Sequence, residues 1–451
     1  MIPQYCRTVL ALLNDAGFES YIVGGAVRDL VMGKIPHDYD ITTSALPEET
    51  VNVMKSNGIN VIPTGIKHGT VTAVIDKKPV EITTFRVDGD YKDSRHPETV
   101  TFTRSIDGDV ARRDFTINAM YLDKNGVVTD KTGGLEDIRT KTVRAVGNPE
   151  DRFEEDALRI LRCLRFAAQL GFTIEPDTLK AMEKAAPRLV NISGERIAAE
   201  LDSLVTSPCA SDVIRRTVDI LSFVIPELKT CQGFNQKSSY HDRDVLEHTL
   251  SVLDNIPKEE SGKRDLCLAL AALFHDIGKP LCFYEDSSGT GHMKGHPEIS
   301  AKICDRVLTD LHYPNSVREE TVKLVRYHDY YVMPARISVH WMMVNCGHDF
   351  SRKLAVLQKA DILAHSSSGI KRLAQLTKIT EVAKEIEYSG AVFRVSDLKI
   401  SGKDILDLGM DPGPKVGKIL ESVFEDYVNG LVPNEREELI ELTKKKLPRL
   451  N

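Results

Sequence analysis

Tyr21-Ile22-Val23-Gly24-Gly25-Ala26-Val27-Arg28-Asp29, followed shortly by Asp38-Tyr39-Asp40, is the stretch whose reading decides this chain. An apolar, β-prone run enters a double glycine, and a basic residue follows one short turn on. Glycine lets backbone approach a phosphate and, at a helix start, offers amide donors to it. If Asp38 and Asp40 lie on a strand, side chains two apart share a face. Two such carboxylates can hold hard divalent cations such as Mg²⁺ beside a nucleotide. A polar loop leaving a strand is the plain alternative for Asp-x-Asp, and the glycine turn with Arg28 favours the metal. A phosphate cradle followed by a metal platform is the layout that nucleotidyl transfer requires.

Working outward, β-rich runs recur at Tyr21–Val23, Asp38–Thr42, Gly69–Ile75, Val80–Phe85 and Thr99–Phe102, which predicts an α/β domain of four to six strands over residues 1–147. Glu81 opens one of these runs and is either an exposed strand residue or a third carboxylate beside the first two. Arg112-Arg113-Asp114-Phe115-Thr116-Ile117-Asn118 follows. Its guanidinium forks suit triphosphate oxygens, although Arg-Arg-Asp by itself is most often a solvated cluster. After Asn148-Pro149 the pattern is helical to the end. Proline and glycine punctuation divides it into a neck and body (148–230), a histidine-rich region (242–366) and a tail (393–451) with a Gly413-Pro414-Lys415-Val416-Gly417 helix entry.

Composition bounds the rest. A chain of 451 residues needs more than one core. With 41% hydrophobic and 28% charged residues it reads as an ordinary soluble protein, without a membrane span or a leader-like start, so a cytoplasmic location is expected. The eight cysteines form no CxxC pair, which argues against a zinc knuckle or a disulfide framework. A net charge of −7 speaks against indiscriminate nucleic-acid binding but allows a local basic strip, for which 139–165 is the candidate.

The strings GGAVRD, DYD, DGDYKDSRHP and RRDFTINAM, in that order, closely resemble the class II tRNA nucleotidyltransferases, the CCA-adding enzymes of the DNA polymerase β superfamily. The resemblance implies a polymerase β-like head followed by an all-α neck, body and tail, a multidomain α+β protein. It implies Mg²⁺ on Asp38 and Asp40, triphosphate contacts from Gly24, Gly25, Arg28, Arg112 and Arg113 with Asn118 nearby, and a ribose hydroxyl read by Asp114. The partners implied are the tRNA 3′ end, CTP and ATP, with no obligate protein partner. Asp88–Pro97 matches the flexible element that relatives adding only CC lack, so complete CCA addition is expected. A poly(A) polymerase is the first rival, weakened by the short C-terminal helix ELTKKKLPRLN.

Glu155–Phe166 reads as one helix with Ala157, Ile160, Leu161, Leu164, Ala167 and Ala168 on an apolar stripe and Asp156, Arg159, Arg162 and Arg165 drifting across the other face. An exposed Asp156–Arg159 ion pair is the ordinary reading. The resemblance instead makes Glu155, Asp156 and Arg159 the base readers, and Arg162 and Arg165 are expected to join them in binding the nucleotide. A carboxylate beside a guanidinium complements the N–H donor and ring-nitrogen acceptor shared by cytosine and adenine, and mispairs with uracil and guanine. Arg196, in Ser193–Leu201, is expected to brace the neck.

Further on, His248, His275-Asp276, His296, His328 and Asp361 are spread over helical sequence. Two histidines and two carboxylates in the order H…HD…D resemble the HD-superfamily metal-dependent phosphohydrolases. That resemblance implies a second divalent metal on His248, His275, Asp276 and Asp361, with His296 and His328 as ligands of a binuclear form and Lys279 on phosphate. A mainly phosphohydrolytic protein, acting on phosphomonoesters or 2′,3′-cyclic phosphates, is the second rival.

Overall fold

The computed structural model describes residues 2–66, 69–89, 100–238, 242–367 and 369–450. From Asp90 on, the expected Asp88–Pro97 loop lies outside the described residues. The chain divides into two compact units, Met1–Pro226 and Glu227–Asn451.

The first unit carries strands β1 (Ser20–Val23), β2 (Asp40–Thr43), β3 (Asn60–Gly65), β4 (Thr70–Ile75), β5 (Lys78–Thr84), β6 (Arg86–Asp88), β7 (Val100–Phe102), β8 (Met120–Leu122) and β9 (Val128–Asp130). Seven of them form one sheet in the order β3-β4-β5-β2-β1-β8-β9, and β6 and β7 pair separately. This exceeds the four to six strands expected. β3 was hidden because Pro63 interrupts it, which an edge strand tolerates. β8 and β9 are three-residue segments too short to show alternation. Helix Gln4–Asp15 buries Cys6, Val9, Leu10 and Leu13, a helical stripe, against Ile22, Ile41, Val71 and Ile82 of the sheet. Each such side chain contributes roughly 1.5–3 kcal/mol when fully buried.

Register places the chemistry. β1 runs antiparallel to β2 and β8, while β2 runs parallel to β5. Val23 stands opposite Asp40 on one side and Tyr121 on the other, and Asp40 stands opposite Glu81. Tyr121, Val23, Asp40 and Glu81 thus form one row across four strands, at the end of β1 where the glycine turn begins. Asp38 precedes the strand, because β2 starts at Asp40.

The helix expected from Glu155 to Phe166 is broken. Pro149–Glu155 and Leu158–Leu170 are separate helices, with Asp156 extended between them at φ −143° and ψ 104°. Its carboxylate accepts from the Leu158 N–H at 3.0 Å, satisfying one of the donors left open at a helix start. The apolar stripe is as expected: all six of its residues are buried.

In the second unit, Leu266–Phe274 is apolar all round and wholly buried, apart from its first residue. Around it run Val245–Asn255, His296–Asp310, Asn315–Tyr327 and His348–Ala364, followed by Arg372–Tyr388. The tail helices Pro414–Val428 and Arg436–Leu450 close a smaller core of Ile405, Ile419, Val423, Phe424 and Leu439. Among the described residues no helix is long and apolar enough to cross a membrane.

Candidate functional site

In the first unit, Gly24 sits at φ +71°, a left-handed conformation that glycine adopts without strain, and turns the chain from β1 into the short helix Gly25–Val31. A side chain on Gly25 would meet the Arg28 guanidinium at 3.4 Å. Arg28 folds back over this turn, donating to Asp29 at 2.8 Å and to the Asn118 side-chain oxygen at 2.9 Å. Asp38, Asp40 and Glu81 all retain exposed surface. Crowding by surrounding protein, then the negative charges of Asp38 and Glu81, push the Asp40 carboxyl up to about 6, and Arg113 only partly opposes them. A carboxylate raised by two neighbouring carboxylates is short of positive charge, which a divalent cation would supply.

Arg112 and Arg113 share one counter-ion that the sequence reading did not single out. Asp109, fully buried, accepts from Arg112 at 2.6 Å, from Arg113 at 2.8 Å and from the Tyr121 hydroxyl at 2.8 Å. Burial would raise its pKa, yet the two guanidinium charges and the Tyr121 hydrogen bond outweigh it and hold the carboxyl low. Spacings of three and four residues from Asp109 to the arginines were legible within one helical turn; its burial was not.

The neck packs on the same segment. Arg152 donates to the Ala111 carbonyl at 2.5 Å, Arg159 to the Arg112 carbonyl at 3.1 Å, and Arg162 to Asp114 at 2.6 Å. The Arg162 charge keeps the buried Asp114 carboxyl low against the cost of burial. Asp156 and Arg159 do not pair with each other. Asp156 accepts from Arg196 at 2.7 Å, and Arg159 donates to Glu155 at 2.6 Å. Arg196 therefore holds the central carboxylate of the Glu155–Arg159 motif. Arg165 lies 3.2 Å from the buried Glu200 and stacks over Phe166, a ring that Arg28 and Arg162 also approach.

In the second unit, six of the singled-out residues converge. His248 Nε2 lies 3.0 Å from Asp361 and 3.3 Å from Asp276, and His275 Nε2 lies 3.1 Å from Asp276. His296 and His328 approach the other Asp276 oxygen at 3.2 and 3.6 Å. His365, not assigned from sequence, stacks on His248 and reaches Asp361 at 3.5 Å. Lys279 is turned onto Asp276 at 2.6 Å and Gln236 at 2.9 Å. Burial opposes ionisation of Asp276, but His275 and Lys279 lower its pKa well below the usual range.

The donor set fits a divalent metal. His275, His296 and His328 each place Nδ1 2.7–2.9 Å from the carbonyl three residues earlier. A carbonyl only accepts, so Nδ1 carries the proton and Nε2 would be the ligand atom. The Nε2 atoms of His296 and His328 face each other at 3.2 Å. Two nitrogens each roughly 2.1 Å from one ion and this far apart subtend about 100°, close to tetrahedral or octahedral angles. Around the cluster lies a cavity of about 420 Å³ lined by Asp276, His296, His328, Asp361 and His365, with Lys279 and Arg372 as its cations.

Comparison with known proteins follows the same division. Residues 20–144 match the "Poly A polymerase head domain", residues 171–231 the "Probable RNA and SrmB- binding site of polymerase A", and residues 245–366 the "HD domain". The chain is 32% identical over 440 residues to the CCA-adding enzyme of Leuconostoc mesenteroides, covering 97% of this chain and 95% of that one. To the CCA-adding enzyme of Geobacillus stearothermophilus it is 47% identical over 208 residues, covering 46% of this chain and 50% of the relative. The crystal structure of the Bacillus stearothermophilus CCA-adding enzyme in complex with CTP superposes with a TM-score of 0.71 at 27% identity, covering 100% of this chain and 99% of that one. With full-length relatives at this identity, this chain belongs to the family of CCA-adding enzymes.

Proposed function

We propose that this protein completes tRNA by adding C, C and A to its 3′ end from CTP and ATP, without a nucleic-acid template. The observation that carries this reading is the row Val23, Asp40, Glu81 beside the Gly24-Gly25 turn, with the neighbouring Arg112 and Asp114 held by Arg159 and Arg162 of the neck. In the reaction the tRNA 3′-hydroxyl oxygen forms a bond to the α-phosphorus, the bond from that phosphorus to the β-phosphate bridge breaks, and pyrophosphate leaves. Asp38 and Asp40, with Glu81 alongside, would hold Mg²⁺, which would neutralise charge and lower the hydroxyl pKa. Arg28 and Arg112 would contact the triphosphate, with Asp109 as the counter-charge that holds the Arg112 guanidinium.

Base choice falls to Asp156 and Arg159. Arg159 has five N–H donors, of which three serve Arg152, Glu155 and Arg112, so two remain for a ring-nitrogen acceptor. Asp156, held by Arg196 and the Leu158 N–H, retains lone pairs for the exocyclic amine of C or A. Within the chain, residues 1–147 act as head, 148–230 as neck and RNA-binding body, and 393–451 as tail. A cytoplasmic location is part of this reading, supported by the free thiols of all eight cysteines. A tRNA lacking its 3′ end, incubated with CTP alone, ATP alone and both, tests the assignment by gel. Two C additions followed by a single A are expected, whereas a long ladder from ATP alone would make it a poly(A) polymerase.

The buried histidine–aspartate cluster supports a second activity, metal-dependent hydrolysis of phosphate esters in residues 242–366. His248, His275, Asp276 and Asp361 would hold one ion, and Asp276, His296 and His328 a second. Such ions acidify water and neutralise the phosphoryl oxygens. Mn²⁺- or Ni²⁺-dependent release of phosphate that survives Asp38→Ala is the expected result.

A further inference from the structure

We propose that Arg372 is the phosphate-binding residue of the histidine–aspartate cavity, oriented by Asp329, and that it fits this cavity to terminal phosphate monoesters. The inference rests on the hydrolytic reading of that site. Arg372 opens the helix Arg372–Tyr388 and was not marked by any sequence motif. It lines the same cavity as Asp276, His296, His328 and Asp361. Its Nη2 donates to Asp329 at 3.1 Å. Asp329 directly follows the ligand His328 and also lines the cavity, so the guanidinium is tied to the same chain segment that carries a metal-ligating ring.

An exposed Arg–Asp pair is ordinarily a surface contact of little consequence. Three observations set this one apart. Both partners border the metal cavity. The other cation there, Lys279, is buried and committed to Asp276 and Gln236, so it faces phosphate less freely. Arg372 stays half-exposed on the cavity wall, beside His365 in the lining. A guanidinium fork matches two phosphate oxygens, and a terminal phosphate is the ester form with oxygens to spare beyond those the metals take. A volume of about 420 Å³ suits a small ester.

In the step served, a water oxygen forms a bond to phosphorus, the ester P–O bond breaks, and a water proton ends on the departing alkoxide. The products are an alcohol and inorganic phosphate.

The full-length protein loaded with Mn²⁺ provides the test. Hydrolysis of p-nitrophenyl phosphate and of adenosine 2′,3′-cyclic phosphate, together with binding of inorganic phosphate, is measured in wild type, Arg372→Gln, Arg372→Lys and Asp329→Asn. Mn²⁺ stoichiometry is followed by calorimetry. Arg372→Gln should raise both the KM for the monoester and the Kd for phosphate about ten- to a hundred-fold, the worth of a charge-assisted hydrogen bond. It should leave Mn²⁺ stoichiometry unchanged and affect the cyclic diester less. Arg372→Lys should recover part of the loss, and Asp329→Asn should fall between. Unchanged phosphate binding in Arg372→Gln, with wild type active, overturns the clamp and leaves the hydrolase. Phosphate binding that needs Arg372 but accompanies no turnover upholds the clamp and removes the hydrolase. Neither binding nor turnover in the loaded wild type overturns both.

Discussion

Asp109 shows how much one side chain can carry without touching substrate. It is the shared counter-charge for Arg112 and Arg113 and also accepts from Tyr121. Asp109→Asn keeps the volume but leaves two guanidinium groups beside a neutral amide. Breaking a buried ion pair from one side costs about 3–5 kcal/mol, so a lower urea midpoint for the first unit and loss of nucleotide addition are expected. The pH dependence has a definite sign. The folded carboxyl is held low, so its stabilisation is complete above the unfolded value of about 4 and is lost as pH falls through the lower folded value. Wild type and Asp109→Asn should therefore converge in stability only in acid; convergence at neutral pH would refute the ion-pair account. Arg196 holds Asp156, the carboxylate proposed to read the base. Arg196→Ala frees one Asp156 oxygen, so misincorporation of U and G should rise more than the KM for CTP, while Arg196→Lys should restore part of the selectivity. Unaltered base choice in Arg196→Ala would reduce Arg196 to a neck brace. The motif Glu155-Asp156-x-x-Arg159 was readable from the sequence, but the partners of its members were not. Spacing suggested Asp156 with Arg159, and a break in the helix paired each with a different residue.

Elements set where those residues stand. The buried helix Leu266–Phe274 ends at His275-Asp276, and its apolar run made that delivery legible. The role of Gly278 was not legible. A side chain there would come within 2.7 Å of the Ser300 backbone nitrogen and 2.9 Å of Ile299, both on the helix that begins at His296. The Gly278 N–H also donates to the Ser300 hydroxyl at 3.0 Å. Glycine is thus needed for the close approach that brings His296 to Asp276. Gly278→Ala should push the helices apart, destabilise the second unit by about 1–3 kcal/mol as other overpacked sites do, and lower the number of tightly bound metal ions seen by calorimetry. Retention of two ions with wild-type affinity would show that His296 does not depend on this contact. In the sheet, the three-strand register around Asp40 follows from β2 pairing with β1 on one side and β5 on the other. The alternating runs of β1, β2 and β5 predicted strands there, yet their order and the parallel sense of β2 and β5 lie in contacts between segments far apart in sequence.

At the scale of the molecule, the two compact units each carry their own cluster of ionisable groups. Asp40→Ala should abolish nucleotide addition and leave Mn²⁺-dependent hydrolysis at the wild-type rate, because Asp40 has no part in the second unit. Loss of both activities would count against separate sites. Chelation should act in the opposite direction on stability: stripping metal from the Asp276 cluster leaves carboxylates and imidazoles crowded in a buried space, so the thermal transition of the second unit should fall on adding EDTA and recover with Mn²⁺. The net charge of −7 confines tRNA to local basic surface, and addition should weaken steeply with salt. The sequence alone determined the family and carried the glycine turn, the paired carboxylates and the spaced histidines on which both proposed sites are built. Glycine turns, paired carboxylates and spaced histidines are dictated by bond geometry and charge, which local sequence records. The tertiary structure decided who partners whom: Asp109 beneath the two arginines, Arg196 on Asp156, His365 and Arg372 at the second cavity, and Gly278 at a helix crossing. Those depend on burial and on contacts between distant segments, where the strength of a charge is set by what surrounds it.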